Sequence, residues 1–207
     1  MRAKSNFAME DIRMEPGQLS EKTRPPVRRL RYESPSELYQ NDLYLARLTR
    51  LRPLDEESGL AFLHRLRGST TPEDAVAFAA FAAVPQVAIW WAYEVLRLTL
   101  VDADATTRAM LGLSADWIRS PDNANRYRAM QAALYAPVRG PAVYLGLAVG
   151  WSGGPIAPND PAPVAPHRMP QALNTAVLSA LAIHDLNARP MLLARTIDLA
   201  ARLFVPE

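Results

Sequence analysis

The chain of 207 residues contains no cysteine and almost no lysine. The first absence excludes disulfides, thiolate zinc sites, iron–sulfur ligation and cysteine nucleophiles. Only three histidines occur: His64, His167 and His184. None of them has a second histidine or a carboxylate at the spacing of a chelating pair on a helix. We therefore expect neither a metal site nor a cofactor.

Long hydrophobic runs are also absent. The two longest apolar stretches are residues 76–96 and 142–151. Pro85 interrupts the first, and the second is only about half as long as a membrane span. A membrane span needs about 20 consecutive apolar residues. The first residues include Glu10 and Asp11 and lack the apolar segment of a secretory signal. These features predict a cytoplasmic protein without a membrane span.

The composition is otherwise that of a folded protein, with 49% hydrophobic and 21% charged residues. Positive charge is concentrated at the start, because residues 1–52 hold eleven of the 23 Lys and Arg but only seven of the 21 Asp and Glu. Residues 1–34 have few large apolar side chains, no periodicity, and a Pro25-Pro26 break. We predict an extended basic N-terminal arm over residues 1–34 and a single α-helical domain over residues 35–207.

Helical periodicity and proline punctuation divide that domain, and strand signals are nearly absent. Helices are predicted at 35–51, 55–67, 72–83, 86–101, 104–120, 121–136, 141–151, 170–187 and 190–205. The fold class is therefore all-α, either an orthogonal helical bundle or a short helical-repeat-like array. Helices 72–83 and 86–101 are apolar nearly all round, which predicts a central antiparallel pair. Residues 152–170 hold six of the 18 prolines and predict an exposed extended loop.

Two features of the helix at 86–101 favour structural roles. Glu94 lies on a helix that we expect to be central, so its charge needs a partner. Either Arg97 three residues later or Arg126 across the core could supply a buried pair. Trp90 and Trp91 are adjacent and point to different sides, so one can anchor the core while the other packs against a second helix or reaches the surface.

Two other features are candidates for binding a partner. Arg28, Arg29 and Arg31 lie on the arm, and arginine suits carboxylates through two parallel hydrogen bonds. They predict an acidic docking surface on another protein, with nucleic acid as the competing polyanion. Trp151 precedes two glycines and the proline-rich loop, which makes it a candidate exposed aromatic at a partner site.

Catalytic motifs are missing from the sequence. Neither a phosphate-binding loop nor a dinucleotide fingerprint occurs. The segment 150–154 resembles a nucleophile elbow, but the strand that should precede such an elbow is missing. The carboxylates at 55–57 and 73–74 lie at predicted helix starts, where the helix dipole accounts for them. We expect no catalytic residues.

Three short motifs carry a resemblance. They are Pro85 with Trp90-Trp91-Ala92, Asn125-Arg126 with Ala129-Met130, and Ser152-Gly153-Gly154. Across residues 70–207 the chain resembles an uncharacterised family of small alanine-rich helical bacterial proteins associated with type VI secretion gene neighbourhoods. Gln86 departs from the charged residue that the family pattern has after the proline. The resemblance implies an accessory or adaptor protein and supplies no catalytic residues.

The sequence thus favours a non-enzymatic, protein-binding adaptor or accessory protein, with a role in a bacterial type VI secretion apparatus implied by the resemblance. The alternative is a nucleic-acid-associated regulatory protein that uses the basic arm. An enzyme whose site the sequence does not reveal is a third interpretation.

Overall fold

The computed structural model describes residues 29–204 and confirms the all-α architecture as a helical bundle. Within that range there are ten helices and one two-stranded antiparallel sheet. The helices are α1 (Pro35–Asn41), α2 (Leu43–Leu48), α3 (Gly59–Arg67), α4 (Asp74–Ala82), α5 (Pro85–Thr99), α6 (Ala105–Arg119), α7 (Asn123–Leu134), α8 (Pro141–Gly150), α9 (Arg168–Ala182) and α10 (Arg189–Ala201). The strands β1 (Pro155–Ala157) and β2 (Asp160–Pro163) lie between α8 and α9.

Two helices, α4 and α8, form the buried centre. Every residue of α4 after Asp74 is buried, and α8 exposes part of only Pro141 and Tyr144. Helix α8 packs against α5, α6, α7 and α9, whereas α4 packs against α2, α3, α9 and α10. Helix α5 also packs against several neighbours, but it is not apolar all round, because it buries one face and exposes Arg97 and Leu98 on the other.

Helices α4 and α5 also do not form the antiparallel pair that was predicted. Ala83 and Val84 between them are extended, with ψ angles of 149° and 152°. Both helices pack mainly on α9 instead of on each other. The extended link also binds the beginning of the described chain, because the backbone N–H of Val84 donates to the Arg29 carbonyl at 2.9 Å.

The same link attaches the beginning of the described chain to the domain. The Arg31 N–H donates to the Ala82 carbonyl at 2.8 Å, and Leu30 forms an isolated antiparallel bridge with Ala83. Leu30 and Tyr32 also pack against the hydrophobic core. Residues 29–34 of the predicted arm therefore belong to the packed structure, while residues 1–28 lie outside the described residues.

The predicted helix at 35–51 is two helices, because Asp42 interrupts it. Its Oδ1 accepts hydrogen bonds from the N–H groups of Tyr44 and Leu45, both at 3.1 Å. A short carboxylate that binds nearby backbone N–H groups starts a new helix in preference to continuing the old one. Asp104 and Asp122 cap α6 and α7 in the same way; α6 begins where the sequence predicts, and α7 begins at Asn123, two residues after the predicted start.

The proline-rich loop contains a small hairpin that the sequence did not predict. Strands β1 and β2 pair in an antiparallel register in which Pro155 faces Pro163 and Ala157 faces Asp160. Three of the seven strand residues are prolines, which lack the N–H group that a regular ladder uses. A segment so rich in proline does not show the sequence pattern that predicts a strand, so the hairpin was not predicted.

Helix α8 approaches its neighbours closely because two of its residues lack side chains. A Cβ atom on Gly146 would lie 2.5 Å from Met110 Sδ, and one on Gly150 would lie 2.5 Å from Met130 Cβ. Both distances are far below van der Waals contact, so neither position has room for a methyl group. By contrast, a Cβ atom on Gly112 of α6 would have no neighbour within 4 Å.

We expect Gly150→Ala to lower the free energy of unfolding by about 1–3 kcal/mol, since overpacking forces the adjoining backbone apart. The matched control, Gly112→Ala, should raise it by up to about 1 kcal/mol, because alanine favours a helix interior. Urea denaturation of both variants measures the two changes. Equal effects at the two positions would contradict the packing described for α8.

Tyr39 joins the N-terminal helices to the core. Its hydroxyl lies 2.8 Å from Thr49 Oγ1, and its ring meets the edge of Phe62 at a centroid distance of 5.6 Å. Burial disfavours the phenolate and raises the pKa of Tyr39 from 10.0 to about 12. The stabilising contribution is thus complete below the pKa of the unfolded state and disappears as the pH rises through the folded value.

We expect the free energy of unfolding to fall between pH 10 and about 12 as Tyr39 ionises in the unfolded state first. Tyr39→Phe should reduce this slope, although it also removes the bond to Thr49. Tyr135→Phe, at a position that is 81% exposed, is the control and should keep the wild-type slope. Denaturation curves across the alkaline range provide the measurement, and an unchanged slope in Tyr39→Phe would refute the assignment.

Candidate interaction site

The hairpin between α8 and α9 projects from the helices and is anchored at its base. Residues 158–163 are all exposed. At the base, the Pro155 carbonyl accepts hydrogen bonds from Arg126 Nη2 at 2.9 Å and from the Tyr127 hydroxyl at 3.2 Å. The Val164 N–H donates to the Gly154 carbonyl at 3.3 Å and closes the hairpin. An exposed tip on a fixed base is typical of binding loops.

Arg126 is the buried residue that holds this base. It is 3% exposed, and its Nη1 donates to the Gly150 carbonyl at 2.8 Å while its Nε donates to Asn123 Oδ1 at 3.2 Å. Among residues 29–204 no carboxylate lies within ion-pair distance of its guanidinium. The negative end of the α8 dipole, at Gly150, compensates the positive charge.

The local sequence explains how Arg126 reaches the end of α8. Asp122 caps α7 by accepting from the Asn125 N–H at 2.8 Å, which determines where the helix begins. Arg126 lies one turn into α7 and extends toward Gly150. Its Cζ atom lies 4.2 Å from the centroid of the Tyr127 ring, which adds a cation–π contact.

The two glycines after α8 make the turn into the hairpin. Gly153 and Gly154 have φ angles of 145° and 71°, which side chains disfavour. These two positive φ angles make the turn that brings the Pro155 carbonyl to the guanidinium.

Trp151, the predicted partner-site aromatic, is half-buried beside this turn. It packs against the core, and the Cζ atom of Arg168 lies 5.7 Å from its ring centroid. His167, next to Arg168, stacks on Tyr44 of α2 at a centroid distance of 4.5 Å. These contacts brace the second end of the hairpin, where the chain enters α9.

Of the two partners expected for Glu94, the structure pairs it with Arg97, outside the core. Glu94 Oε2 and Arg97 Nη2 are 2.8 Å apart, but the Arg97 side chain is 56% exposed. The hydrogen bond that Arg97 donates to Glu94 raises the pKa of Arg97. Arg126 is not the partner of Glu94, because α7 directs it to the carbonyls of Gly150 and Pro155. The pair is thus a surface pair, since Glu94 lies on the less buried face of α5.

Of the adjacent tryptophans, Trp91 is the residue that anchors the core. It is fully buried, and its Nε1 donates to the Thr196 carbonyl of α10 at 3.4 Å. Trp90 is partly buried and packs at the margin of the core.

The arginines expected to bind a partner contact the domain itself where the structure describes them. Arg29 Nη1 donates to the Arg202 carbonyl at 3.0 Å, and Arg31 Nη1 donates to the Phe81 carbonyl at 3.4 Å. Arg28 lies outside the described residues. The structure therefore does not bring the arginines and Trp151 together into one site.

Sequence reasoning identified the buried character of Arg126 but missed what it holds. It also missed Tyr127 as a second anchor of the hairpin. The available signal was an arginine within an apolar helix stripe, followed downstream by two glycines and a proline. That signal does not specify backbone carbonyls as the acceptors.

Between residues 29 and 204, His, Asp and Glu side chains nowhere gather into a group of three that could hold a metal ion. In the same range, no helix has both the length and the apolar character that crossing a membrane requires.

Comparison with known proteins gives one match. Residues 62–204 match the model of a family of unknown function (DUF6931), and the chain belongs to that family. The matched range contains Arg126, the glycine turn and the whole hairpin. No curated protein and no solved structure matches the chain.

We expect Arg126→Met to lower the free energy of unfolding by about 1.5–3 kcal/mol, because buried hydrogen bonds from a charged group are lost. The Val164 amide should lose more protection from hydrogen exchange than amides of α4. The control, Arg97→Met, removes an exposed ion pair and should cost about 0.5 kcal/mol or less. Denaturation and hydrogen exchange measure these effects, and a uniform loss of protection would argue against a local anchor.

Proposed function

We propose that this member of a family of unknown function is a non-enzymatic adaptor that binds another protein through the hairpin at residues 155–163. The observation that carries the proposal is the use of a buried arginine, Arg126, to hold an exposed loop. Burying a charged group is costly unless its hydrogen bonds are made. A buried arginine that fixes an exposed loop is therefore expected where the loop must keep its shape for recognition. A loop that only connects two helices does not need it.

The polar groups around the hairpin support binding in preference to chemistry. Asp160 Oδ1 accepts from the Ala162 N–H at 3.0 Å, so it stabilises its own turn. His167 stacks on Tyr44, and Arg168 covers Trp151. Each of these side chains is used to maintain the shape of the hairpin and its base.

The prolines specify how a partner would bind. Pro155, Pro161 and Pro163 have no N–H groups, so an extended peptide cannot add regularly to either edge of the hairpin. A partner would therefore contact side chains and carbonyl oxygens of the tip. Recognition of this kind depends on the shape of the loop more than on its backbone donors.

The resemblance to proteins of type VI secretion gene neighbourhoods makes a component of that apparatus the first partner to test. The N-terminal arm remains a second predicted contact, in which Arg28 and its neighbours would face an acidic surface. Nucleic acid is the competing partner for those arginines, and the crosslinking experiment below would also reveal it.

Site-specific crosslinking tests the adaptor function, and the absence of native cysteine allows it. A single cysteine introduced as Asn159→Cys and labelled with a photocrosslinker should capture one defined protein in cells that naturally express the chain. The control is Asp55→Cys, at an exposed position in the loop before α3. It should capture that protein weakly or not at all.

Binding of the captured protein is then measured with the purified full chain. Replacing residues 156–162 by a glycine–serine segment of equal length should weaken binding at least tenfold, or about 1.4 kcal/mol. Undiminished binding by that variant would refute the hairpin as the contact. Capture of nucleic acid, with binding that weakens steeply as salt increases, would favour the alternative function.

A further inference from the structure

One end of the bundle gathers the termini of six helices, α5 to α10. His184 Nε2 lies 2.9 Å from the Thr99 carbonyl, so the chain after α9 meets the end of α5. The contacts of Arg126 with Gly150 and of Arg168 with Trp151 lie at the opposite ends of α7, α8 and α9. Because these helices alternate in direction, the end of α7 and the start of α8 lie at the same end of the bundle as Thr99 and His184.

This end carries most of the strongly exposed apolar surface. In the described part of the chain, seven large apolar side chains are more than three-fifths exposed, and six of them lie here. They are Leu98, Val101, Tyr135, Val138, Ile183 and Leu186, which we call the apolar end. The seventh, Leu43, lies on α2. Exposed apolar surface concentrated in this way is typical of an interface.

The size of the apolar end fits a dimer contact. Burying six such side chains would remove on the order of 500 Å² of apolar surface from water on each copy. A standard interface covers about 800 Å² per partner, which includes a polar rim. The apolar end with its surrounding charges therefore has the area that a specific contact needs.

The charges around the apolar end are balanced. Asp102, Asp104 and Asp185 are exposed there. Three arginines have the opposite sign, and each donates to a nearby backbone carbonyl: Arg108 to Ala103, Arg139 to Ala133 and Arg189 to His184. A rim with both signs in equal number has no net charge that would repel a second copy, and it would not favour a strongly basic or acidic partner.

The N-terminal segment of the same chain fits this surface less well. The described chain begins at Arg29, which is bonded to Val84 at the start of α5, while Leu98 and Val101 lie at its other end. The fifteen residues of α5 separate the two points by roughly 22 Å, which a segment as long as residues 1–28 can span, so charge decides between the two occupants. Residues 1–28 also carry six Lys and Arg against four Asp and Glu, a positive excess that the balanced rim does not match.

We propose that the apolar end is the interface of a symmetric homodimer, in which a second copy of the chain buries the same six side chains. The two hairpins would then project away from the contact, since each lies at the far end of α8. The dimer would present two partner-binding loops, which goes beyond the adaptor function and does not depend on it.

The mass of the full chain in solution tests the proposal. Sedimentation equilibrium over a wide range of concentration should give twice the monomer mass of 22.9 kDa. Val101→Asp and Ile183→Asp should each raise the dissociation constant at least tenfold, because two like charges would be placed in the apolar contact. Leu43→Asp, at an equally exposed leucine on α2, should leave the dimer unchanged. Circular dichroism of each variant verifies that the helices are retained.

Crosslinking provides the second measurement. Val138→Cys, treated with a short bifunctional maleimide, should yield a covalent dimer, while Leu43→Cys should not. A wild-type chain that is monomeric at every concentration would overturn the proposal and would indicate that residues 1–28 or another protein cover the surface. A dimer that persists in both aspartate variants would overturn it as well, because the interface would lie elsewhere.

Discussion

The burial of α8 is the constraint on which the rest of the structure depends. This helix is apolar on every side, so it requires four neighbours, and two of them come close only because Gly146 and Gly150 leave room for Met110 and Met130. A buried helix end also leaves carbonyl groups without water. Arg126 provides the donor for Gly150, and the same guanidinium holds the hairpin. Packing of the core and the shape of the exposed loop thus depend on one junction.

Much of the fold could be predicted from local sequence signals. Prolines at the starts of α5 and α8 and the carboxylates of Asp104 and Asp122 place helix boundaries within a few residues. Signals of this kind act between near neighbours in the chain. The split at Asp42 was missed because the same residue type is tolerated within helices, and only its side-chain bonds reveal the break.

The candidate site was less predictable because it depends on contacts between distant segments. The sequence indicated that Arg126 is buried, but its acceptors lie 24 and 29 residues away and are backbone atoms that any residue type supplies. The apolar end was missed for a related reason. Leu98, Val101 and Ile183 belong to different elements, and only the packing of α5 beside α9 brings them to one surface.

The order of the helices has a consequence for synthesis of the chain on the ribosome. Helix α4 is apolar all round and ends at Ala82, whereas α9, against which it packs, is complete only at Ala182. At about 5–20 residues per second, the side of that helix that α9 covers would lack its neighbour for on the order of ten seconds. Throughout this interval the chain exposes apolar surface that the finished fold buries. The length of this exposure is determined by topology, independently of the stability of the finished fold.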